Sequence, residues 1–277
     1  MTRRPRWLSG IRLVLLALVV TWSAFPIALV VLASFKPAKM IFDIPPRLFF
    51  MPTLENYRSL LQAWPEFFPR LLNSLIITVG TTALTVIASS LAGYVYARYR
   101  GGLLTASAFF MVVIRMLPPI VITLPLFPVA NWLGVMDTYS LLIALYATFF
   151  VSLGTWIMKT FVDQIPVELE EAAFVDGASL GQTLRRVILP LTVPGMIASG
   201  VFVLVYAWNE FLFAFIFTTT RAKTAPLLLS EMLGAVTGVD WGAVFAAATI
   251  QLVPILVFVI AVQKYLIAGL TAGSVKG

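Results

Sequence analysis

The residues able to do chemistry are few and unevenly placed. The chain has no histidine and no cysteine. That removes the commonest general base, thiolate nucleophiles and metal ligands, and disulfides. Five of the twelve acids fall in one stretch, Lys159 to Arg186, as Asp163, Glu168, Glu170, Glu171 and Asp176, together with Arg185 and Arg186. Two more ionisable residues, Arg115 and Glu210, stand alone inside long apolar runs. No carboxylates cluster within those runs, so a membrane-embedded enzyme has little to work with. There is also no G-x-x-x-x-G-K-[ST] and no Gly-Lys pair, so the chain cannot build a phosphate-cradling loop. Such residues suit docking and solute passage rather than bond-making.

The elements that position them follow from composition. Of 277 residues, 60% are apolar and 11% charged, and the mean hydropathy is +0.98. Soluble domains carry about 25% charge, so a water-soluble enzyme or a nucleic-acid binder is excluded despite the net charge of +7. Six apolar runs are long enough to cross about 30 Å of hydrocarbon: 11–35, 71–97, 103–132, 139–158, 195–218 and 242–267. The first follows a basic head of Arg3, Arg4, Arg6 and Arg12; its length exceeds the apolar core of a cleaved signal peptide. The third is interrupted by Arg115 and by Pro118, Pro119, Pro125 and Pro128. Residues 36–70 read as an extracytoplasmic loop with a short interfacial helix near Leu54 to Ala63. Six spans put both termini on one face. With that face cytoplasmic, inner segments hold eleven basic residues and outer ones seven, the sense that the positive-inside rule requires. No repeat or linker divides the chain, so residues 1–277 are expected to form a single transmembrane domain.

Between the fourth and fifth spans, residues 159–194 form a cytoplasmic loop whose local chemistry predicts two short helices. Pro166 suits a first helical turn, and Glu168, Glu170 and Glu171 complement the positive end of the helix dipole. Gly177 suits the left-handed position that ends a helix. Ser179 and Gln182 make a capping box for the next one. Arg185 and Arg186 fall in its last turn, and Pro190 is expected to stop it. The same signals suit an ordinary loop with two amphipathic helices, because caps say where helices end and not what they touch.

The spacing says more. Glu171-Ala172-Ala173, then Gly177, then Leu189-Pro190 resembles the EAA loop of ABC importer permeases, with Val187 where the family pattern has isoleucine. The RYRGG turn at 98–102, the WNEF at 208–211 and the ending QKYLIAGLTAGSVKG resemble the MalG-like carbohydrate permeases. The resemblance implies an all-α polytopic membrane protein with six transmembrane helices in the type I ABC importer permease fold. It implies a transporter subunit rather than an enzyme, in a bacterial cytoplasmic (inner) membrane. Expected partners are a second homologous permease, two copies of a P-loop ATPase and an extracytoplasmic substrate-binding protein. No cofactor is expected on this chain, ATP being used by the partner ATPase. Glu170, Glu171, Ala172, Ala173, Asp176, Gly177, Leu189 and Pro190 would then couple to the ATPase, with a sugar or sugar derivative as solute. Glycerol-3-phosphate, a polyol, an amino acid or a peptide are alternatives within the superfamily. An ion-coupled secondary transporter is the alternative from another class, although it would need neither the capped loop nor ATP.

An intramembrane charge costs at least about 2.5–3.5 kcal/mol unless it faces protein or water. Counted along their spans at 1.5 Å per residue, Arg115 lies about 18 Å and Glu210 about 22 Å deep. Similar depth suggests that the two pair, or share a translocation path with Pro118, Trp208 and Asn209. The alternative is that each caps nearby backbone or contacts the partner subunit. Phe211 and Phe213 read as packing or lipid-facing residues.

Overall fold

The computed structural model describes residues 6–236 and 238–272, with side chains at 10–236 and 238–263. Arg3 and Arg4, the side chain of Arg6 and the end of the QKYLIAGLTAGSVKG tail lie outside them. Thirteen α-helices are described: α1 (Arg6–Ser34), α2 (Glu55–Ala63), α3 (Phe67–Arg98), α4 (Gly102–Met116), α5 (Pro119–Trp132), α6 (Tyr139–Val162), α7 (Glu168–Val175), α8 (Leu180–Thr183), α9 (Leu189–Leu191), α10 (Val193–Trp208), α11 (Leu212–Phe217), α12 (Ala225–Leu233) and α13 (Trp241–Ala272). Four helices are long and apolar enough to cross a membrane, and two bent pairs bring the total to six. The all-α, six-span expectation is therefore met, with α1, α3, α6 and α13 as continuous spans and α2 as the predicted short helix.

The chain divides into two compact units, Met1–Phe68 with Leu229–Val253, and Pro69–Leu228 with Pro254–Gly277. In the first, Asn56 is the organising residue. Its buried amide donates to the carbonyls of Ser34 and Lys36, 2.8 Å each, closing the chain after α1. Asp240 caps α13 through the Ala243 N–H and accepts from Ser59 at 2.6 Å.

The second unit is built on close helix contacts made possible by small residues. A Cβ on Gly154 of α6 would meet Ser89 of α3 and Ser199 of α10 at under 3 Å, and one on Gly195 would meet the Phe161 ring at 2.6 Å. Small residues let backbones approach where lipid offers no hydrophobic drive. Its core gathers Ile77, Leu142, Tyr146, Phe150, Val203, Phe213 and Phe217, all essentially sealed from solvent. At one end Asp137 closes the 218–224 loop. Its carboxylate accepts from the N–H groups of Thr219, Thr220, Arg221 and Ala222 and from the hydroxyls of Thr219 and Thr220, at 2.8–3.1 Å.

Two spans are broken. Pro118 and Pro119 split the third into α4 and α5, bent by 99°. α4 closes on the Leu117 N–H, which donates to the Ile114 carbonyl at 3.2 Å, and Pro118 caps α5, neither proline having an N–H to carry the helix onward. The second bent pair joins the helix ending at Leu191 to α10 at 72°, and within the fifth span, expected as one helix over 195–218, α10 gives way to α11 across Asn209–Phe211. Composition hid this break, because all the residues flanking it are apolar.

Candidate coupling loop and polar sites within the spans

α7 ends in a Schellman motif. Ala178 N–H donates to the Ala173 carbonyl at 2.9 Å and Gly177 N–H to the Phe174 carbonyl at 3.0 Å, with Gly177 at φ +81°. This is the left-handed position that glycine occupies without a Cβ penalty. The capping box also forms: Gln182 Oε1 accepts from the Ser179 N–H at 2.8 Å, and Ser179 Oγ accepts from the Gln182 N–H at 3.4 Å. The second helix ends one residue past the expected stop at Pro190: a π turn over Leu184–Ile188 precedes the proline, the helix reaches Leu191, and α10 leaves it at 72°. Proline lacks an N–H, so the normal bond to the carbonyl four residues back is lost. The wider turn, with Leu189 N–H donating to the Leu184 carbonyl, lets the helix continue past it. Pro166 likewise sits just ahead of α7 and not in its first turn.

The glutamates of α7 face different ways. Glu170 is 4% exposed. Its carboxylate accepts from the Tyr94 hydroxyl at 2.8 Å and from Arg98 Nε at 2.5 Å, while Arg98 Nη2 donates to the Ile165 carbonyl at 2.8 Å. Glu170 therefore fastens α7 to the end of α3 instead of presenting its carboxylate outward, and Tyr94 and Arg98 join the site unforeseen. Their four-residue spacing on one face of α3 was the available signal. Glu171, Ala172, Asp176 and Gly177 are exposed, Ala173 and Leu189 half-buried, and Pro190 exposed. Leu169, Phe174 and Leu180 are each 45% exposed and Val175 87%. The loop thus presents an acidic and apolar surface of the kind that marks a protein contact.

Arg115 and Glu210 do not form an ion pair. The Arg115 guanidinium lies over the Phe149 ring, 5.4 Å from its centroid, with Nη1 3.5 Å from the Phe149 carbonyl and from Ser152 Oγ. Glu210 turns onto the free N-terminus of α11, accepting from the N–H groups of Phe213 at 2.9 Å and Ala214 at 3.3 Å. Breaking the span exposes backbone donors that hydrocarbon cannot satisfy, and the carboxylate meets them. Phe149 touches Arg115 on one side and Phe213 on another, ring centroids 6.0 Å apart in the second case. The two charges are thus separated by aromatic packing. Trp208 is buried, whereas Asn209 is exposed and donates to the Val205 carbonyl at 2.8 Å. Pro118 is exposed at the start of α5. Among the described residues no group of three acids, His or Cys could hold a metal ion.

The capped helix pair lies between the apolar helices α6 and α10. The family profile of the binding-protein-dependent transport system inner membrane component matches residues 86–271. The chain belongs to that family. As an inner membrane component it is a multi-pass permease subunit, and the matched region contains α7, its Schellman turn and both broken spans. This permease is 37% identical over 257 residues to the trehalose/maltose transport system permease protein MalG of Thermococcus litoralis, covering 91% of each chain. It is 35% identical over 271 residues to the trehalose transport system permease protein SugB of Mycobacterium tuberculosis, covering 95% of this chain and 96% of the relative. It is 32% identical to the sulfoquinovosyl glycerol transport system permease protein SmoH of Agrobacterium fabrum, covering 82% and 79%. Its fold matches a chain from the crystal structure of a bacterial ABC transporter involved in the import of the acidic polysaccharide alginate. The TM-score is 0.76 at 21% identity, with 96% of this permease and 98% of that chain covered.

Proposed function

We propose that this permease forms, as a single functional domain over residues 1–277, one half of the membrane pathway of an ATP-driven importer for a sugar or sugar derivative. The carrying observation is the exposed surface of α7. Glu170 holds the helix against Tyr94 and Arg98, which leaves Glu171, Ala172 and the apolar Leu169, Phe174 and Val175 open to a partner. A separate P-loop ATPase would receive this surface in a cleft. Ala172 and Ala173 allow close approach, Glu171 offers a carboxylate to a basic residue, and Gly177 sets the angle to α8. Asp176 closes α7, and Leu189 and Pro190 carry the push into α10. In this reading Glu170 is a positioning residue that transmits the load to α3.

The complex would contain a second homologous permease, two ATPase copies and an extracytoplasmic binding protein that supplies the solute. Both termini would be cytoplasmic, ATP would be used only by the ATPase, and residues 36–70 would face outward. The breaks at Pro118 and Glu210 supply irregular backbone within the spans, which persists in membranes only where it is buried in protein or lines a cavity. Arg115, Pro118, Trp208, Asn209 and Glu210 would shape the path there. The sugar assignment is supported by the three relatives named above, each described as a permease for a sugar or sugar conjugate.

The test is affinity purification of the tagged permease from its own membranes in mild detergent, with sequencing of every co-purifying protein. A P-loop ATPase and a second permease are expected, and the accompanying binding protein can then be screened against sugars. Recovery of the chain alone, competent for uptake after reconstitution without ATP, would overturn the reading.

A further inference from the structure

A cleft of about 170 Å³ lies where the end of α3, the 99–101 turn, the start of α4 and the last turns of α6 meet, all within the second unit. The 99–101 turn and the last turn of α6, taken as its rim, carry Tyr99, Arg100 and Lys159; the lining further along α4 and α6, taken as its floor, includes the apolar Leu104, Met111 and Trp156. Arg100 is exposed and takes part in no ion pair among the described residues. Lys159 is shared with Asp163, 2.5 Å away and itself exposed, the one carboxylate paired with a cation of this rim. The first backbone bond of α4 runs from the Thr105 N–H to the Gly101 carbonyl, and Gly101 offers no capping side chain. The N–H groups ahead of Thr105 therefore add positive character to the same rim.

We propose that this cleft holds an anionic phospholipid, its phosphate at Arg100 and Lys159 and the start of an acyl chain along α4. The polarity gradient carries the inference. Leu104 and Met111 stand seven residues apart, two turns along one face of a span, and this apolar floor has no use for a free phosphate. Tyr99 and Trp156 are 49% and 40% exposed, as aromatic side chains are where a membrane meets water. Basic pockets between spans on the cytoplasmic side recognise acidic headgroups. The inference rests on the proposed reading only in assigning this face to the cytoplasmic leaflet. Its consequence reaches the coupling loop, because the Tyr99 ring packs edge-on to Tyr94 at 6.3 Å, and Tyr94 donates to Glu170. An occupied cleft would brace the anchor of α7.

The experiment uses the permease with whatever subunits accompany it, stripped of lipid in detergent. Phosphatidylglycerol, phosphatidylcholine and inorganic phosphate are then added in parallel, and bound lipid is counted by native mass spectrometry. Retention of phosphatidylglycerol over phosphatidylcholine on the order of tenfold is expected for two basic residues. Arg100→Gln with Lys159→Gln should abolish that preference. Leu104→Trp, which obstructs the floor without touching charge, should lower retention of both lipids, and an unchanged unfolding midpoint would show either variant folded. Equal retention of the two lipids by the wild type, or a preference that survives the double substitution, would overturn the proposal. So would displacement of phosphatidylglycerol by an equal concentration of inorganic phosphate, which would assign the cleft to a soluble anion. Absence of an ATPase from the preparation would instead sink the importer reading and leave the lipid preference standing.

Discussion

Replacing Glu170 with alanine tests the anchoring of α7 directly. The substitution removes the acceptor for Tyr94 and the countercharge of Arg98, whose side chain is only 11% exposed. Breaking a buried pair by deleting one partner costs about 3–5 kcal/mol, because the remaining charge is left uncompensated. Arg98 keeps the Ile165 carbonyl and some exposure, so the lower end, about 3 kcal/mol, is expected. At about 1.4 kcal/mol per tenfold, that raises the population with α7 undocked on the order of 10²-fold. Limited trypsin cleavage after the exposed Arg185 and Arg186 reports this population while reclosing outpaces cutting. Glu170→Gln, which keeps a neutral acceptor for Tyr94, should fall between wild type and alanine. Combining Glu170→Ala with Arg98→Met should recover part of the loss, since no buried charge is then left uncompensated, although the Tyr94 hydroxyl and the Ile165 carbonyl lose their partners. Wild-type cleavage of the alanine variant, or a double variant no tighter than the single one, would refute the reasoning.

Three further outcomes are expected. Gly177→Ala meets open space but a positive φ, so it should destabilise by about 1–2 kcal/mol through the backbone alone; Gly177→Asn should be milder and Gly177→Val worse, read as unfolding midpoints beside uptake rates. Glu210→Ala leaves the N–H groups of α11 uncapped inside the membrane and should cost about 0.5–2 kcal/mol, whereas Glu210→Gln should retain most of the cap; equal loss in thermal stability for both would show that charge, not capping, matters. For Asp137, burial opposes ionisation but the N–H groups of Ala222, Arg221 and Thr219 and the Thr220 hydroxyl outweigh it, holding the carboxyl well below its ordinary 3.8. A depressed folded pKa gives stability that is complete above 3.8 and fades as pH falls towards the folded value. The gap in melting temperature between wild type and Asp137→Asn should therefore be constant at neutral pH and narrow below about pH 4; a gap that does not change with pH would contradict the assignment.

Local chemistry accounts for what was legible. Apolar length identifies the spans, because crossing hydrocarbon demands about 20 apolar residues whatever their neighbours. Gly177, Ser179 and Gln182 specify the end of α7 and the start of α8, since each acts on backbone groups within three or four residues. Tertiary structure decided the rest. Glu170 and Glu171 sit about 100° apart on one helix, and no local signal says which turns inward. That choice belongs to Tyr94 and Arg98, the latter 72 residues away. Asp137 likewise finds its donors 82–85 residues on. The break at Glu210 is invisible to hydropathy, and it changes the residue from an expected partner of Arg115 into a cap for α11. The π turn that absorbs the missing N–H of Pro190, and carries the helix one residue past it, is likewise not announced by the sequence. Hydropathy and caps act along the chain, whereas buried polar groups are satisfied across it, so their partners are known only once the helices have packed.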